Sequence, residues 1–248
     1  MKILKTTLLL LFLYFIYWAF GDTFFNWLFP FTSDGKEKMI TVEGVAPKYT
    51  EPYVYAQYIS KDCLEYQLDA GMSPYQVPTY YGLELNVKAD PQTGYFQVKL
   101  PFNGGGWCKW RINRASVSVN YTDATHLVKD AKPYGGTGLT AFINDATQTY
   151  LNETATLNTI DYRPVIYPVL EMIDGFPKRI SLLGEGEMRP FRLMLTPGAE
   201  WKIIYKPKLN ETKMPKVIIP PGKEPARIEY PDGSIDWNND RIEYWKIK

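Results

Sequence analysis

The chain has 248 residues, with 28 Lys and Arg against 27 Asp and Glu, one histidine and two cysteines. A formal net charge of +1 excludes the strong basic excess of a dedicated nucleic-acid binder. So few His and Cys leave no zinc site built on them and only His126 as a triad base. Aromatic residues make up 15% and charged residues 22%, the balance of a folded chain rather than a disordered one.

Lys2 and Lys5 precede an uncharged run from Thr6 to Gly21, rich in Leu, Phe, Tyr and Trp. Basic residues before an apolar core are the layout of a secretory signal or a signal anchor. At helical rise the run covers roughly 24 Å, slightly short of a ~30 Å hydrocarbon core. Two outcomes compete. Ala19 and Gly21 offer small residues for cleavage before Asp22, which would release a secreted chain. Against cleavage, the second half of the run is aromatic, and a further patch follows at Phe24, Phe25, Trp27, Leu28, Phe29 and Phe31. Such residues suit a membrane–water interface, and the reading taken is a retained anchor. Lys2 and Lys5 then lie in the cytoplasm and everything after about residue 22 outside it. That describes a single-pass inner-membrane protein with its bulk in the periplasm. Cys63 and Cys108 are the one intramolecular pair available to such a compartment, and a disulfide between them is expected.

Past residue 38 helical periodicity gives way to short runs rich in Tyr, Val, Ile, Phe and Thr, punctuated by Pro and Gly. That is the all-β signal. Strands are expected at Met39–Val45, Tyr53–Ile59, Leu64–Leu68, Tyr80–Val87, Tyr95–Leu100, Cys108–Ile112 and Val117–Tyr121. This region, 39–125, has the size of one antiparallel β-sandwich. A second β region, 126–206, carries candidates at Thr147–Leu151, Val165–Ile173, Arg179–Leu183, Phe191–Leu195 and Trp201–Tyr205. Residues 207–225 hold five prolines and a lysine bias and read as an extended strap. A hairpin around Pro231-Asp232-Gly233 then joins Ala226–Tyr230 to Ile235–Trp237, and a last weak strand is expected at Ile242–Ile247. The fold class expected is therefore all-β, one or two antiparallel sandwich-like regions behind an amino-terminal hydrophobic helix.

Chemistry is sparse. His126 has Asp123 and Asp130 nearby in sequence, but no Gly-x-Ser-x-Gly elbow occurs anywhere. Gly135-Gly136-Thr137-Gly138 lacks the Lys-Ser/Thr of a phosphate loop, and Gly184-Glu185-Gly186 lacks the third glycine of a dinucleotide motif. Asp236, Asn238 and Asp240 match the first ligand positions of a calcium loop, yet Arg241 stands where its glycine is needed and Ile247 where its closing glutamate is. No cofactor, metal or catalytic residue is expected.

The most unusual stretch is Gly104-Gly105-Gly106-Trp107-Cys108-Lys109-Trp110. Its two Trp are read as sharing a face, either as a recognition surface or packed on the disulfide. Trp107, Trp110 and Trp237 are the candidate binding residues. The expectation is a membrane-anchored protein, held by residues 6–21, that binds another protein, of the immunity, inhibitor or envelope-assembly kind. A carbohydrate or cell-wall module using Tyr and Trp platforms is the second reading. A hydrolase using carboxylates or His126 is the third. Nucleic acid is not an expected partner.

Overall fold

A computed structural model describes residues 30–33, 38–144, 153–185 and 190–247, together with positions 7, 11, 12, 14, 15 and 28. The expected anchor over residues 6–21 lies mostly outside the described residues, and the expected strand Thr147–Leu151 entirely so. Among the described residues no helix is long and apolar enough to cross a membrane.

The strands, numbered in chain order, begin with β1 (Met39–Val45), β2 (Thr50–Leu68), β3 (Pro74–Asn86), β4 (Tyr95–Pro101), β5 (Asn103–Gly105) and β6 (Trp110–Tyr121). They continue with β7 (Lys132–Pro133), β8 (Thr137–Ile143), β9 (Thr154–Leu157), β10 (Thr159–Tyr162), β11 (Val165–Ile173) and β12 (Arg179–Gly184). Then come β13 (Phe191–Met194), β14 (Trp201–Tyr205), β15 (Lys208–Leu209), β16 (Lys216–Ile219), β17 (Arg227–Glu229) and β18 (Ile235–Trp237).

Three sheets result, ordered β10-β14-β1-β4, β3-β2-β6-β8-β13-β9 and β18-β17-β16-β11-β12-β7. The sheets are mixed, which corrects the antiparallel expectation. β1 and β10 both run parallel to β14, β13 parallel to β8 and β9, and β16 parallel to β11. Strands from the 39–125 and 126–206 regions thus lie side by side. Parallel neighbours need long crossovers, and here the connecting chain runs from one sheet to another.

Alternation explains the layering. β1 buries Ile40, Val42 and Gly44 in alternation, and the second half of β6 does the same with Ala115, Val117, Val119 and Tyr121. The buried faces of the first two sheets share one core with Ile160, Ile203, Tyr205, Leu139, Ala141 and Leu193. Each buried Ile or Leu among them contributes about 1.5–3 kcal/mol relative to exposure. Two buried phenols tie neighbouring elements across this core: Tyr58 donates to the Pro101 carbonyl (2.8 Å) and Tyr205 to the Thr137 carbonyl (3.0 Å). β11 is apolar almost throughout because both its faces are covered. Ile166 and Leu170 join the main core, whereas Tyr167 and Val169 meet Val217, Ile228, Tyr230 and Ile247 in a second cluster.

The carboxyl-terminal hairpin forms as expected, in β17 and β18. Residues 242–247 are not a strand, a further correction; a 3-10 turn occupies Tyr244–Lys246, and Ile247 is drawn into the second cluster instead of pairing along an edge. The strap gains β15 and β16, both beside β11.

Burial raises the Tyr58 phenol well above its ordinary value and raises Tyr244 to about 12. These groups stay neutral in the fold while the unfolded chain ionises its tyrosines near pH ~10. Their stabilisation is whole below that pH and is lost as pH rises through the raised folded values. Denaturant unfolding between about pH 8 and about pH 11.5 should therefore show a midpoint that falls above about pH 10. A midpoint that holds level across the range would contradict this.

Candidate functional site

The feature that departs most from a closed β body is the far end of β2 and β3. β2 pairs with β6 only as far as Ile59, opposite Arg111. Beyond that point β2 and β3 continue alone as a two-stranded arm, with Leu64 to Leu68 paired against Pro78 to Pro74. Five residue pairs reach roughly 15 Å past the base.

The base is built by a bulge. Ser60 pairs with Thr79 and Leu64 with Pro78, so residues 61–63 have no cross-strand partner. Two buried hydroxyls satisfy the freed backbone. Ser60 Oγ accepts from the Cys63 amide (2.8 Å) and donates to the Cys108 carbonyl (2.6 Å), and Thr79 Oγ1 donates to the Cys63 carbonyl (2.6 Å). The expected disulfide is present, Cys63 to Cys108, with 5.1 Å between Cα atoms. At the tip, Asp69 Oδ1 accepts from the amides of Gly71 and Ser73, each at 2.8 Å.

The arm has two unlike faces. In register, Leu64, Tyr66 and Leu68 stand across from Pro78, Gln76 and Pro74 and share one face. That face carries no charge, and Tyr66 is 73% exposed. On the other face Gln67 donates to Glu65 (2.9 Å) and Tyr75 to Gln67 (3.3 Å). Free two-stranded hairpins are marginal in water, so this one depends on its disulfide, its tip and its hydrogen-bonded face. β3 is also the sheet edge, and Pro74 and Pro78 on it oppose the addition of another strand. The uncharged face of the arm is left uncovered by any other described strand. On the body the same face of the two strands carries Tyr53, Tyr55 and Tyr80 together with the polar Gln57, Glu84 and Asn86.

The chain enters the body at the base of this arm. Thr32 N donates to the Gly104 carbonyl (2.8 Å), and Phe31 packs on Tyr58 (4.7 Å between centroids) and Tyr81 (5.3 Å). Phe31 lies so close over Gly104 that a Cβ there would overlap its ring, and Gly106 has a φ of +67° with the Pro30 carbonyl against it. The triple glycine therefore seats the incoming segment.

This turn corrects the reading of the two Trp. Cys108 lies before β6 rather than in a strand, so Trp107 and Trp110 do not share a face: Trp107 is 82% exposed and Trp110 is fully buried beside Tyr81. Trp237 is exposed on β18, in another sheet.

The lone histidine sits near the opposite end of β2 and has a partner that sequence spacing did not reveal. His126 Nε2 is 2.9 Å from Glu211 Oε1, the Tyr121 hydroxyl donates to the same oxygen (2.8 Å), and the Tyr49 ring lies 4.2 Å from the imidazole. Burial, with Glu211 beside it, raises the Tyr121 phenol far above its ordinary value. Asp123 accepts from the Thr125 amide instead. Among the described residues no serine, threonine or cysteine side chain is hydrogen-bonded to His126, and the cluster pins the strap to β6. Asp236 accepts from Lys246 Nζ (2.6 Å), and no set of three His, Cys, Asp or Glu able to hold a metal gathers among the described residues.

No protein family matches the chain, and neither a curated protein nor a solved structure matches it.

Proposed function

We propose that the protein is a membrane-anchored, extracytoplasmic, non-enzymatic β protein that binds another protein through the apolar face of the β2–β3 arm. The observation that carries this is the unpartnered strip of Leu64, Tyr66 and Leu68 on a ribbon braced at its base by the disulfide and at its tip by Asp69. Apolar residues clustered on a projecting element are the usual mark of an interaction site, and a rigid, disulfide-braced arm lowers the ordering cost of binding. Inhibitor, immunity and envelope-assembly roles all fit that plan by architectural analogy.

Anchoring is supported by the basic start and apolar run of the sequence, and by a disulfide suited to an oxidising compartment. Mass analysis of the protein from its native envelope should find an intact amino terminus. A start at Asp22 would replace the anchored form with a secreted one. For the carbohydrate reading, Trp107 is exposed in the turn before β6, Trp237 is exposed on β18 and Trp245 is exposed in the carboxyl-terminal 3-10 turn. Full-length protein captured from its native envelope should bring down a protein partner, and a version with the arm shortened to its base should not. Equal recovery from both would overturn the assignment to the arm.

A further inference from the structure

The second sheet shifts register at three places, and residues at each of them line one cavity of about 540 Å³. The unpaired residues of β2 contribute Lys61 and Asp62. On β6, Tyr58 pairs with Ile112 and Gln57 with Arg114, so Asn113 is the extra residue of a bulge, and it too lines the cavity. Bulges re-aim side chains and concentrate beside functional sites.

Polar, basic and apolar side chains line the cavity. Trp110 is fully buried, and its indole N–H has no hydrogen-bond partner among the described residues. The Asn113 side chain, 4% exposed, likewise makes no hydrogen bond among them. The Trp110 nitrogen is closed off even from water, whereas the Asn113 amide is open to a group in the cavity. At the exposed rim stand Lys61, Lys109 and Arg111 against one acid, Asp62. Lys109 takes that acid at 3.5 Å, which leaves Lys61 and Arg111 with no ion-pair partner among the described residues. Ile59, Phe102 and Ile143 supply an apolar wall.

We propose that this cavity binds a phosphate ester. Arg111 and Lys61 take the anionic oxygens, since the planar guanidinium fork matches phosphate geometry. The Asn113 amide meets a further oxygen, and the apolar wall receives the adjoining alkyl group. Gly105, on which the incoming Thr32 rests, also borders the cavity, so in an anchored chain the site opens towards lipid headgroups. The lipid source rests on the anchored reading; the phosphate-ester chemistry does not.

The test uses the full chain in an uncharged detergent, titrated by calorimetry with inorganic phosphate, a short-chain phosphatidylglycerol, and the matching diacylglycerol. Saturable binding of the phospholipid and not the diacylglycerol is expected. It should weaken by about tenfold or more in Arg111→Gln and in Asn113→Ala. Inorganic phosphate binding as tightly as the phospholipid would uphold the anion site and overturn the lipid source. No saturable binding of either phosphate compound, or unchanged binding in a folded Arg111→Gln variant, would overturn the proposal. Partner capture by the arm is read separately, so either assignment can fail alone.

Discussion

Tyr66→Asp combined with Leu68→Asp should abolish partner binding while leaving the fold as stable as before. Both side chains already face solvent on the outer side of the arm, so their replacement removes no core packing. The unfolding free energy should change by no more than about 0.5 kcal/mol. Binding should respond very differently. An aromatic or aliphatic anchor at the centre of an interface is worth about 2 kcal/mol or more, roughly 30-fold in affinity for each residue. A buried, unpaired aspartate adds a desolvation penalty at each position. Titration of the captured partner against both forms, beside denaturant unfolding of both, separates the two effects. A variant that still binds within a few-fold would remove the arm from the interface.

The second large effect belongs to the disulfide. Cys63 and Cys108 are 45 positions apart, and opening a loop of that length costs about 4 kcal/mol in the chain-entropy account. Locally, Cys108 is fully buried, and its carbonyl and that of Cys63 are both held by the hydroxyls at the arm base. Cys63→Ser with Cys108→Ser should thus lower the unfolding free energy by about 4 kcal/mol. It should also speed proteolysis within residues 64–78, because the ribbon loses its brace. A drop below about 1 kcal/mol would show that the hydroxyl network holds the base without the bridge.

Much of the strand layout was legible in local pattern. Met39–Val45, Val165–Ile173 and Trp201–Tyr205 were expected and occur residue for residue, because each is a short apolar run bounded by turn residues. The cysteine pairing followed from there being one pair to make. Sheet order was not legible: β1 neighbours β14, and nothing in the periodicity of either strand names its neighbour or its direction. The arm was half visible. Leu64–Leu68 read as a strand, but Lys61-Asp62 looked like a break, whereas Ser60 and Thr79 carry the chain through it as a bulge. His126 and Glu211 are 85 positions apart, so their pairing exists only in three dimensions. The two Trp of the glycine stretch were misread because strand alternation was assumed where the chain turns.

The central claim is that the outer face of the arm meets a protein partner. A photo-reactive phenylalanine analogue in place of Tyr66, in full-length protein within its native envelope, reports this contact directly. Phe176, exposed on a turn of the third sheet, serves as the control position. The account expects a discrete protein adduct from position 66 and none from 176. Adducts to lipid alone at position 66, or the same protein adduct from both positions, would contradict it.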